Sequence, residues 1–598
     1  MCFLTVKGVK YSFDKGLKLI DIIRQNNITF ETPCGGGLTC GKCKVILKSG
    51  DVNPITNEEE KFLTVDELSV GTRLACFMEP KGDICIDFPE QLDDKNKILT
   101  KGILPEHDFK PNINKKTFEF HQHCLKNELS YLEALENVLD EKVVANKHLI
   151  LQQLPSIIKE KKITAIYSNN YILGVEKKDT TSSCYGVAID IGTTTVVASL
   201  VNLITGQEIE IESALNPQTE YGLDVLSRID FVRKNKGGLE LLHNGIINCL
   251  NRLIMSLCKN SKIDKENIYE IAVAANTTML HILLNVDPTC MGKSPYKSVF
   301  IKENKFLASE LGIKISAYGM VYTLPGVSSF VGSDIVAGVC AGSLFEKGKK
   351  SLFIDVGTNG EMVLYGSGQM VACACAAGPA LEGMNIKNGM RATSGAVENV
   401  KIIDSQVFLK VIGDIKPIGI CGSGIIDCIS ELLQNKVIGL TGRIKNQDNI
   451  ESLPKGVAIK DGSTRSIMLS SANGEISVTQ NDVRQVQLAK GAILSGIYTL
   501  LDYVKLSIYE LDEVIIAGQF GAHLNVESLI GVGMLPSTFN GKVRYIGNSS
   551  VTGAILYLLS RNFREIIRDI TGRIDYVELS TMQDYEKTFT KALTFKKI

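Results

Sequence analysis

Residues 33–43 of the 598-residue chain read Pro-Cys-Gly-Gly-Gly-Leu-Thr-Cys-Gly-Lys-Cys, a glycine-rich run that carries three cysteines. Its cysteines have the spacing C-x5-C-x2-C, and a fourth follows in Arg73-Leu-Ala-Cys76. A [2Fe–2S] cluster needs four converging thiolates, and glycines let the backbone wrap closely around them. A structural zinc site more often shows two C-x2-C pairs, whereas this region has one. The pattern therefore predicts a [2Fe–2S] cluster on Cys34, Cys40, Cys43 and Cys76.

Length and composition limit the other possibilities. A chain of 598 residues predicts several domains with large cores. Its net charge of -1 gives no electrostatic case for binding nucleic acid or a membrane surface. Sixteen cysteines beside a cluster indicate a reducing compartment in which thiols stay free. Neither a signal-peptide pattern nor a run of 18 apolar residues is evident, so we expect a cytoplasmic protein.

Residues 1–92 are expected to form the first domain. The alternating stretches 4–6 and 11–13 predict a hairpin, and the apolar spacing of Leu17 through Arg24 predicts a helix. Two strands, a helix and then the cysteine loop is the order found in a β-grasp domain. This region resembles [2Fe–2S] ferredoxins over its whole length.

Two further segments precede a change in the character of the chain. Residues 93–115 are polar and rich in Pro, Lys and Asn, which predicts a linker, with an ordered surface crossing as the alternative. Residues 116–183 predict a small α/β domain with a helix over 129–139. Within it, a hairpin over 163–174 would turn at Asn169-Asn170. No catalytic pattern is present there, so a scaffold or dimerisation role is expected.

An internal repeat begins at Tyr185. The sequence Val187-Ala-Ile-Asp-Ile-Gly-Thr-Thr-Thr195 is echoed by Leu352-Phe-Ile-Asp-Val-Gly-Thr-Asn-Gly360. Each copy is an apolar strand that ends in Asp-x-Gly-Thr. Asp190 and Asp355 lie 165 residues apart, which is enough for one α/β half-domain each.

The repeated turn has the chemistry of a phosphate site. Its glycine lets the backbone approach a phosphate, and Asp at a strand end can hold Mg²⁺ directly or through water. Asp190 and Asp355 are therefore the predicted Mg·ATP residues, with a structural role as the alternative. Glu361 is predicted to orient water or metal, unless it is a strand-edge carboxylate. The predicted phosphate contacts are Gly192, Thr193, Thr194, Thr195, Gly357, Thr358, Asn359 and Gly360.

Two more glycine-rich turns are candidates for nucleotide contact. The strand Val514–Ala517 runs into Gly518, Gln519, Phe520 and Gly521, where a base or ribose could lie against bare backbone. The turn containing Gly422, Ser423 and Gly424 either contacts the nucleotide or is a tightly packed helix N-terminus.

Together these three elements resemble the phosphate-1, phosphate-2 and adenosine motifs of the acetate/sugar kinase, Hsp70 and actin superfamily. The resemblance implies a two-lobed ATPase over residues 184–598, and hence a multidomain α/β protein overall. With the ferredoxin domain in front, the whole chain resembles the reductive activators of corrinoid enzymes. Further matching segments are Asn216-Pro-Gln, Tyr221–Ile229, Ala275–His281, Phe330–Asp334, Ala377–Gly383, Gly389–Ala392, Thr479–Arg484 and Ala489–Ile493.

That resemblance implies an ATP-dependent reductase that returns a Co(II) corrinoid protein to Co(I). It also implies an unidentified low-potential electron donor and a homodimer. Two alternatives stay open: a small-molecule kinase with a redox-sensing ferredoxin domain, and a non-catalytic nucleotide-gated binding protein. No sequence feature locates the acceptor pocket and base that a kinase needs. No helix-turn-helix signal or basic patch supports a regulator.

One carboxylate, one histidine and three cysteines outside these motifs are further candidates for a functional role. Glu382 is predicted to line either the nucleotide site or the corrinoid-facing surface. His281 is expected to be a packed histidine and not a base. Cys373 and Cys375 could hold a second cluster, but C-x-C on an apolar strand more often lies in a core. Cys421 has no role that the sequence assigns.

Overall fold

The structure is a computed structural model. It describes residues 2–6, 8–26, 28, 30, 38, 41, 43–63, 65–88, 102–120, 129–169, 171–344, 348–462, 464–518 and 524–596. Within these ranges, every helix is too short or too polar to cross a lipid bilayer.

The first domain is a five-stranded sheet with one helix packed on it. Its strand order is β2-β1-β5-β3-β4, with β1 and β5 parallel and the other pairs antiparallel. The helix α1 buries Leu19, Ile20, Ile22 and Ile23, which confirms the apolar pattern of the predicted ferredoxin fold. The elements are β1 (Cys2–Val6), β2 (Val9–Phe13), α1 (Leu19–Gln25), β3 (Lys44–Ser49), α2 (Asn57–Glu60), α3 (Val65–Ser69), β4 (Thr72–Leu74) and β5 (Ile84–Asp87).

The second domain is a small antiparallel sheet with two helices. The order of its strands is β6-β7-β8. The helix α4 begins at a capping box between Ser130 and Glu133 and ends at Asp140, whose φ is +53°. The elements are β6 (Ile113–Glu119), α4 (Tyr131–Leu139), α5 (Lys147–Ile157), β7 (Lys162–Ser168) and β8 (Tyr171–Lys177).

Residues 102–112 of the predicted linker lie against the C-terminal part of the chain. The Lys110 N–H donates to the carbonyl of Leu559 at 2.8 Å, and the Arg561 N–H donates back to the carbonyl of Lys110 at 3.0 Å. These bonds satisfy backbone groups at a junction between two helices, so this part of the segment is an ordered crossing. The strand β6 also begins at Ile113, inside the range expected to be linker.

The first lobe is a six-stranded sheet with the order β11-β10-β9-β12-β14-β13. Its long helix α7 packs its apolar face on the sheet. The elements are β9 (Tyr185–Ile191), β10 (Thr195–Asn202), β11 (Glu208–Leu215), α6 (Val225–Lys234), α7 (Gly238–Ser261), β12 (Ile268–Ala275), α8 (Thr277–Leu283), β13 (Asn304–Leu307), β14 (Met320–Thr323) and α9 (Ser333–Ala341).

The second lobe has a six-stranded sheet, β25-β24-β15-β16-β17-β26, and two three-stranded sheets, β19-β18-β20 and β21-β22-β23. Its elements are β15 (Ser351–Val356), β16 (Gly360–Gly366), β17 (Gln369–Cys375), β18 (Ala396–Ile403), β19 (Gln406–Val411), β20 (Gly419–Ile420), α10 (Gly422–Gln434), β21 (Val457–Lys460), β22 (Ser466–Ser471), β23 (Gly474–Thr479), α11 (Gln480–Tyr503), β24 (Glu513–Ala517), α12 (Val526–Gly531), β25 (Val543–Tyr545), α13 (Ser549–Leu559), α14 (Arg561–Arg573), β26 (Ile574–Tyr576) and α15 (Tyr585–Ala592).

The two lobes repeat one arrangement, which confirms the predicted duplication. In each, the strand that ends in Asp-x-Gly-Thr lies between an antiparallel partner and a parallel one: β9 between β10 and β12, and β15 between β16 and β24. The lobes meet through α9 and α13. A Cβ on Gly553 would lie 2.6 Å from the Cβ of Ala337, so the helices approach as closely as glycine allows.

Candidate functional site

Asp190 lies at the end of β9 and faces the N-terminus of α13. Its carboxylate accepts a hydrogen bond from Ser550 Oγ at 3.0 Å and another from Asn548 Nδ2 at 3.2 Å. Burial nevertheless raises the pKa of Asp190 to about 6, and the two hydrogen bonds oppose that rise. The protein therefore holds this carboxylate where a bound cation would strongly favour its charged form.

Three more carboxyl groups are close enough to influence one another. Burial, followed by the charge of Asp190, raises the pKa of Asp355 to about 7. In the first turn of α9, burial together with Asp190 and Asp355 raises the pKa of Asp334 to about 7. Burial, then Asp334 and Asp355, raises the pKa of Glu361 well above its ordinary value. Among the residues that the structure describes, these carboxyl groups do not form a ready-made metal site, and their raised pKa values mark a buried cluster of interacting acidic groups.

In each Asp-x-Gly-Thr turn the glycine N–H donates to a carbonyl further along the chain, three residues ahead in the first copy and two in the second. The Gly192 N–H donates to the carbonyl of Thr195 at 2.9 Å, and the Gly357 N–H donates to the carbonyl of Asn359 at 3.0 Å. A Cβ on Gly192 would lie 2.8 Å from that Thr195 oxygen, so the first turn requires glycine. Tight turns with hydroxyl side chains suit phosphate oxygens.

Glu382 joins the two turns. Its carboxylate accepts a hydrogen bond from Thr194 Oγ1 at 3.2 Å and one from Thr358 Oγ1. The Glu382 side chain is buried, and this burial raises its pKa. A single carboxylate thus bonds to a threonine on each lobe, at the place where phosphate oxygens would be expected.

Buried polar side chains hold the first turn from behind. Arg228 Nη2 donates to the carbonyl of Thr193, and Asn216 Nδ2 donates to the carbonyl of Gly192 at 2.8 Å. Asn276 Nδ2 contacts Thr193 Oγ1 at 3.2 Å. Arg228 and Asn216 are fully buried, so these contacts fix the turn within the core of the lobe.

The predicted adenosine element starts beside Asp355. Gly518 has a φ of +90°, and a Cβ there would lie 2.5 Å from Asp355 Oδ1, so the backbone approaches the carboxylate as only glycine permits. Gln519, Phe520 and Gly521 lie outside the described residues.

The other glycine-rich turn begins α10 and packs against the segment that carries Glu382. A Cβ on Gly422 would lie 1.7 Å from the carbonyl oxygen of Leu381, and one on Gly424 would lie 2.1 Å from that of Val397. Ser423 Oγ donates to the carbonyl of Glu398 at 2.7 Å. Close packing at these two positions requires glycine. The turn packs against Leu381 and so helps to hold the neighbouring Glu382 in place.

Two of the four predicted cluster ligands are described, and they converge. The Sγ atoms of Cys43 and Cys76 are 3.1 Å apart, and both side chains are buried. Cys34 and Cys40 lie outside the described residues. Paired buried sulfurs at the end of a β-grasp sheet fit a thiolate-ligated iron–sulfur cluster.

The remaining singled-out residues lie in packed surroundings. Cys373 and Cys375 are buried on β17, and burial raises the pKa of Cys375 to about 12. Cys421 Sγ lies 3.4 Å from the carbonyl of Val397. His281 Nε2 accepts from the Val299 N–H at 3.0 Å, which leaves the proton on Nδ1, 2.7 Å from the carbonyl of Thr277. That neutral tautomer suits a structural histidine.

Asp334 and Arg228 had no assigned role in the sequence. Both lie in segments that match the corrinoid activators, but one Asp beside Ser and one Arg on a polar helix look like surface residues. The apolar run that follows Asp334 could have indicated that this carboxylate is buried, because it places Asp334 on the first turn of a buried helix.

Three family models match successive parts of the chain. They are "2Fe-2S iron-sulfur cluster binding domain" over residues 3–81, "RACo middle region" over 185–347, and "C-terminal domain of RACo the ASKHA domain" over 349–598. The last two matches divide between the two lobes.

Two named relatives are similar to most of this chain. "Corrinoid activation enzyme RamQ" of Eubacterium limosum is 30% identical over 590 residues, which is 95% of this chain and 94% of that protein. "[Co(II) methylated amine-specific corrinoid protein] reductase" of Methanosarcina barkeri is 24% identical over 69% of this chain and 77% of its own length. A solved "Reductive activator for corrinoid,iron-sulfur protein" superposes with a TM-score of 0.73 at 32% identity, covering 99% of this chain and 98% of that one.

Proposed function

The chain belongs to the family of corrinoid-activating reductases, and from that premise we propose that it is an ATP-dependent reductive activator. It transfers electrons one at a time from a [2Fe–2S] cluster in its first domain to a corrinoid protein whose cobalt is Co(II), and it restores Co(I). The names of the relatives support a corrinoid protein as the partner.

One observation carries the proposal: a ferredoxin domain and a two-lobed nucleotide-binding fold share one chain. A plant-type [2Fe–2S] cluster supplies single electrons near −400 mV, and the family resemblance implies a Co(II)/Co(I) couple at a lower potential. Moving one electron uphill by 100 mV costs about 2.3 kcal/mol, by the charge-times-voltage relation. ATP turnover is a sufficient source for a gap of a few hundred millivolts.

The site residues have separate tasks in this proposal. Asp190 and Asp355 hold Mg²⁺ directly or through water, and Asp334 adds negative charge beside them. The hydroxyl groups of Thr194 and Thr358 donate hydrogen bonds to phosphate oxygens. Glu361 orients the attacking water, within reach of the charges of Asp334 and Asp355.

The ATPase then acts as a conformational motor. Phosphate oxygens that bind the two threonine hydroxyls must displace the Glu382 carboxylate from them. The contact that both lobes share is then made to the nucleotide and no longer to Glu382. A ligand shifts a conformational equilibrium only through contacts that differ between the two states. The nucleotide stabilises one arrangement of the lobes. That arrangement favours the conformation of the corrinoid protein that is easier to reduce.

Two parts of the proposal rest on the family resemblance alone. These are an external low-potential electron donor and assembly into a homodimer. Light scattering of the purified chain tests the dimer, for which we expect twice the chain mass of 65.3 kDa.

The decisive experiment measures ATP hydrolysis with and without Co(II) corrinoid proteins of several methyl-transfer systems. We expect one of them to stimulate hydrolysis and to gain the Co(I) spectrum. Hydrolysis that responds to a sugar or organic acid and ignores every corrinoid protein would instead support the small-molecule kinase.

A further inference from the structure

The ferredoxin domain contacts the first lobe through Arg24, near the end of α1. Arg24 Nη2 donates to the backbone carbonyl of Glu220 at 2.7 Å. The guanidinium carbon lies 5.9 Å from the ring centroid of Tyr221, which is within the range of a cation–π contact. The Arg24 side chain is only 19% exposed. The proposed function gives this contact no task.

Glu220 ends a compact 3₁₀ turn over Pro217–Glu220, which we call the docking turn. The side chain of Asn216 caps it by accepting from the Gln218 N–H at 3.0 Å, and the Thr219 N–H donates to the carbonyl of Asn216 at 3.0 Å. Asn216, Gln218 and Thr219 are at most 3% exposed. Because its polar groups are bonded internally and buried, the docking turn moves as one unit.

The inner side of the docking turn holds the first phosphate turn. The Asn216 N–H donates to the carbonyl of Thr194 at 2.8 Å, and Asn216 Nδ2 donates to that of Gly192 at the same distance. Arg228 bonds Gln218 Oε1 through Nη1 at 3.0 Å and the carbonyl of Thr193 through Nη2. Displacement of the docking turn therefore moves three consecutive residues of the phosphate turn.

On the other side of the contact, α1 packs on the cluster segment. The Ile20 N–H donates to the carbonyl of Ala75 at 3.1 Å, and the Leu19 N–H donates to that of Met78 at 2.8 Å. These two bonds flank Cys76, a predicted cluster ligand. Hydrogen bonds and α1 itself thus connect the Cys76 segment to Thr193 without a break.

We infer that Glu220 and Tyr221 form a docking surface for the chain's own ferredoxin domain, and that docking and nucleotide binding favour each other. This inference rests on the proposed function, because it takes the first Asp-x-Gly-Thr turn as a phosphate site. The docked domain holds the docking turn, as one unit, in a single position against the first phosphate turn. A nucleotide then meets a phosphate turn that is already in place, so less freedom of position is lost on binding.

The test compares Arg24→Ala with the parent in the full-length, cluster-loaded chain. Calorimetric titration with a non-hydrolysable Mg·ATP analogue should show affinity about five-fold weaker or more in the variant. Lys10→Ala is the matched control, because it removes one positive charge from an exposed position of the same domain. That control should bind like the parent, and an unchanged visible spectrum in both variants shows that the domain folds.

Reciprocity supplies the second measurement, since the nucleotide must stabilise docking by the same factor. Hydrogen exchange of the α1 amides should slow on addition of the analogue in the parent and stay unchanged in Arg24→Ala. Equal affinities of parent and variant, with no response of α1, would overturn the inference and leave the proposed function intact. A parent chain that binds no nucleotide would overturn both.

Discussion

Thr194 and Thr358 belong to different lobes, yet their hydroxyl groups donate to the two oxygens of one carboxylate, that of Glu382. Thr358 directly follows Gly357, whereas Thr194 is the second residue after Gly192, so the two turns reach Glu382 from neighbouring and not from matching positions. In the nucleotide-free protein, Glu382 therefore supplies the negative oxygens that a phosphate would supply. This relationship gives the nucleotide a direct means of changing how the lobes meet.

Glu382→Gln should tighten Mg·ATP binding by about ten-fold at pH 8, which corresponds to roughly 1.4 kcal/mol. The substitution keeps the size of the side chain and removes a charge that competes with the phosphates. Because burial raises the pKa of Glu382, the advantage of the variant should shrink as the pH falls and the parent side chain becomes neutral. Titrations at a series of pH values from 8 downward measure it, and Glu586→Gln, which is exposed on α15, is the control. A gain in affinity that does not depend on pH would argue against this role.

Asp355→Asn should stabilise the metal-free, nucleotide-free protein above neutral pH. The folded-state pKa of Asp355 is raised to about 7, so the carboxyl favours folding when it is protonated. That contribution is complete below the unfolded pKa near 4 and is lost as the pH rises through 7. The difference in unfolding free energy between variant and parent should thus grow between pH 5 and 7, by about 1.4 kcal/mol per pH unit. Urea unfolding in EDTA measures it, and a difference independent of pH would contradict the burial argument.

Asp190→Asn should lower ATP turnover by about 10²-fold or more, because phosphoryl transfer depends on metal positioning and charge stabilisation. The cluster should still be reduced normally by a chemical donor. Corrinoid reduction should stall even when the cluster is fully reduced. Steady-state assays measure ATP hydrolysis, and the visible spectrum follows reduction of the cluster. Corrinoid reduction at the wild-type rate by this variant would show that electron transfer does not depend on ATP.

Cys43→Ala should bleach the visible absorption and abolish electron transfer, whereas nucleotide binding should persist because the ferredoxin domain has its own core. Cys85→Ala is the matched control. Cys85 is a partly buried cysteine on β5 of the same sheet and should leave two irons in the protein. Iron analysis and absorption spectra distinguish the variants, and stoichiometric zinc in the colourless parent would contradict the cluster.

The sequence predicted the parts of the fold that depend on local pattern. The apolar strands that end at Asp190 and Asp355, the hairpin of the second domain and the helix α1 all follow from periodicity and turn residues. The contacts between distant segments could not be read this way. Glu382 reaches both turns only because its own 3₁₀ turn packs on α10, and Arg228 is buried only because Thr193, Gln218 and Gly222 surround it.

The contact of Arg24 with the docking turn could not be predicted from the sequence for a similar reason. A single arginine at the end of a short helix resembles any solvated helix terminus. Its partner is a backbone carbonyl 196 residues away, which has no side-chain signature. Likewise, residues 102–112 have the composition of a linker, and only their pairing with Leu559 and Arg561 reveals an ordered crossing.

In the proposed reaction, ATP drives an electron uphill from this chain to a Co(II) corrinoid protein. The most direct measurement starts from the fully reduced chain, mixes it anaerobically with the Co(II) protein and follows the Co(I) absorption with ATP, with ADP and without nucleotide. We expect rapid accumulation of Co(I) with ATP and little in the other two mixtures. Equal rate and extent of Co(I) formation in all three would contradict the coupling of ATP to electron transfer.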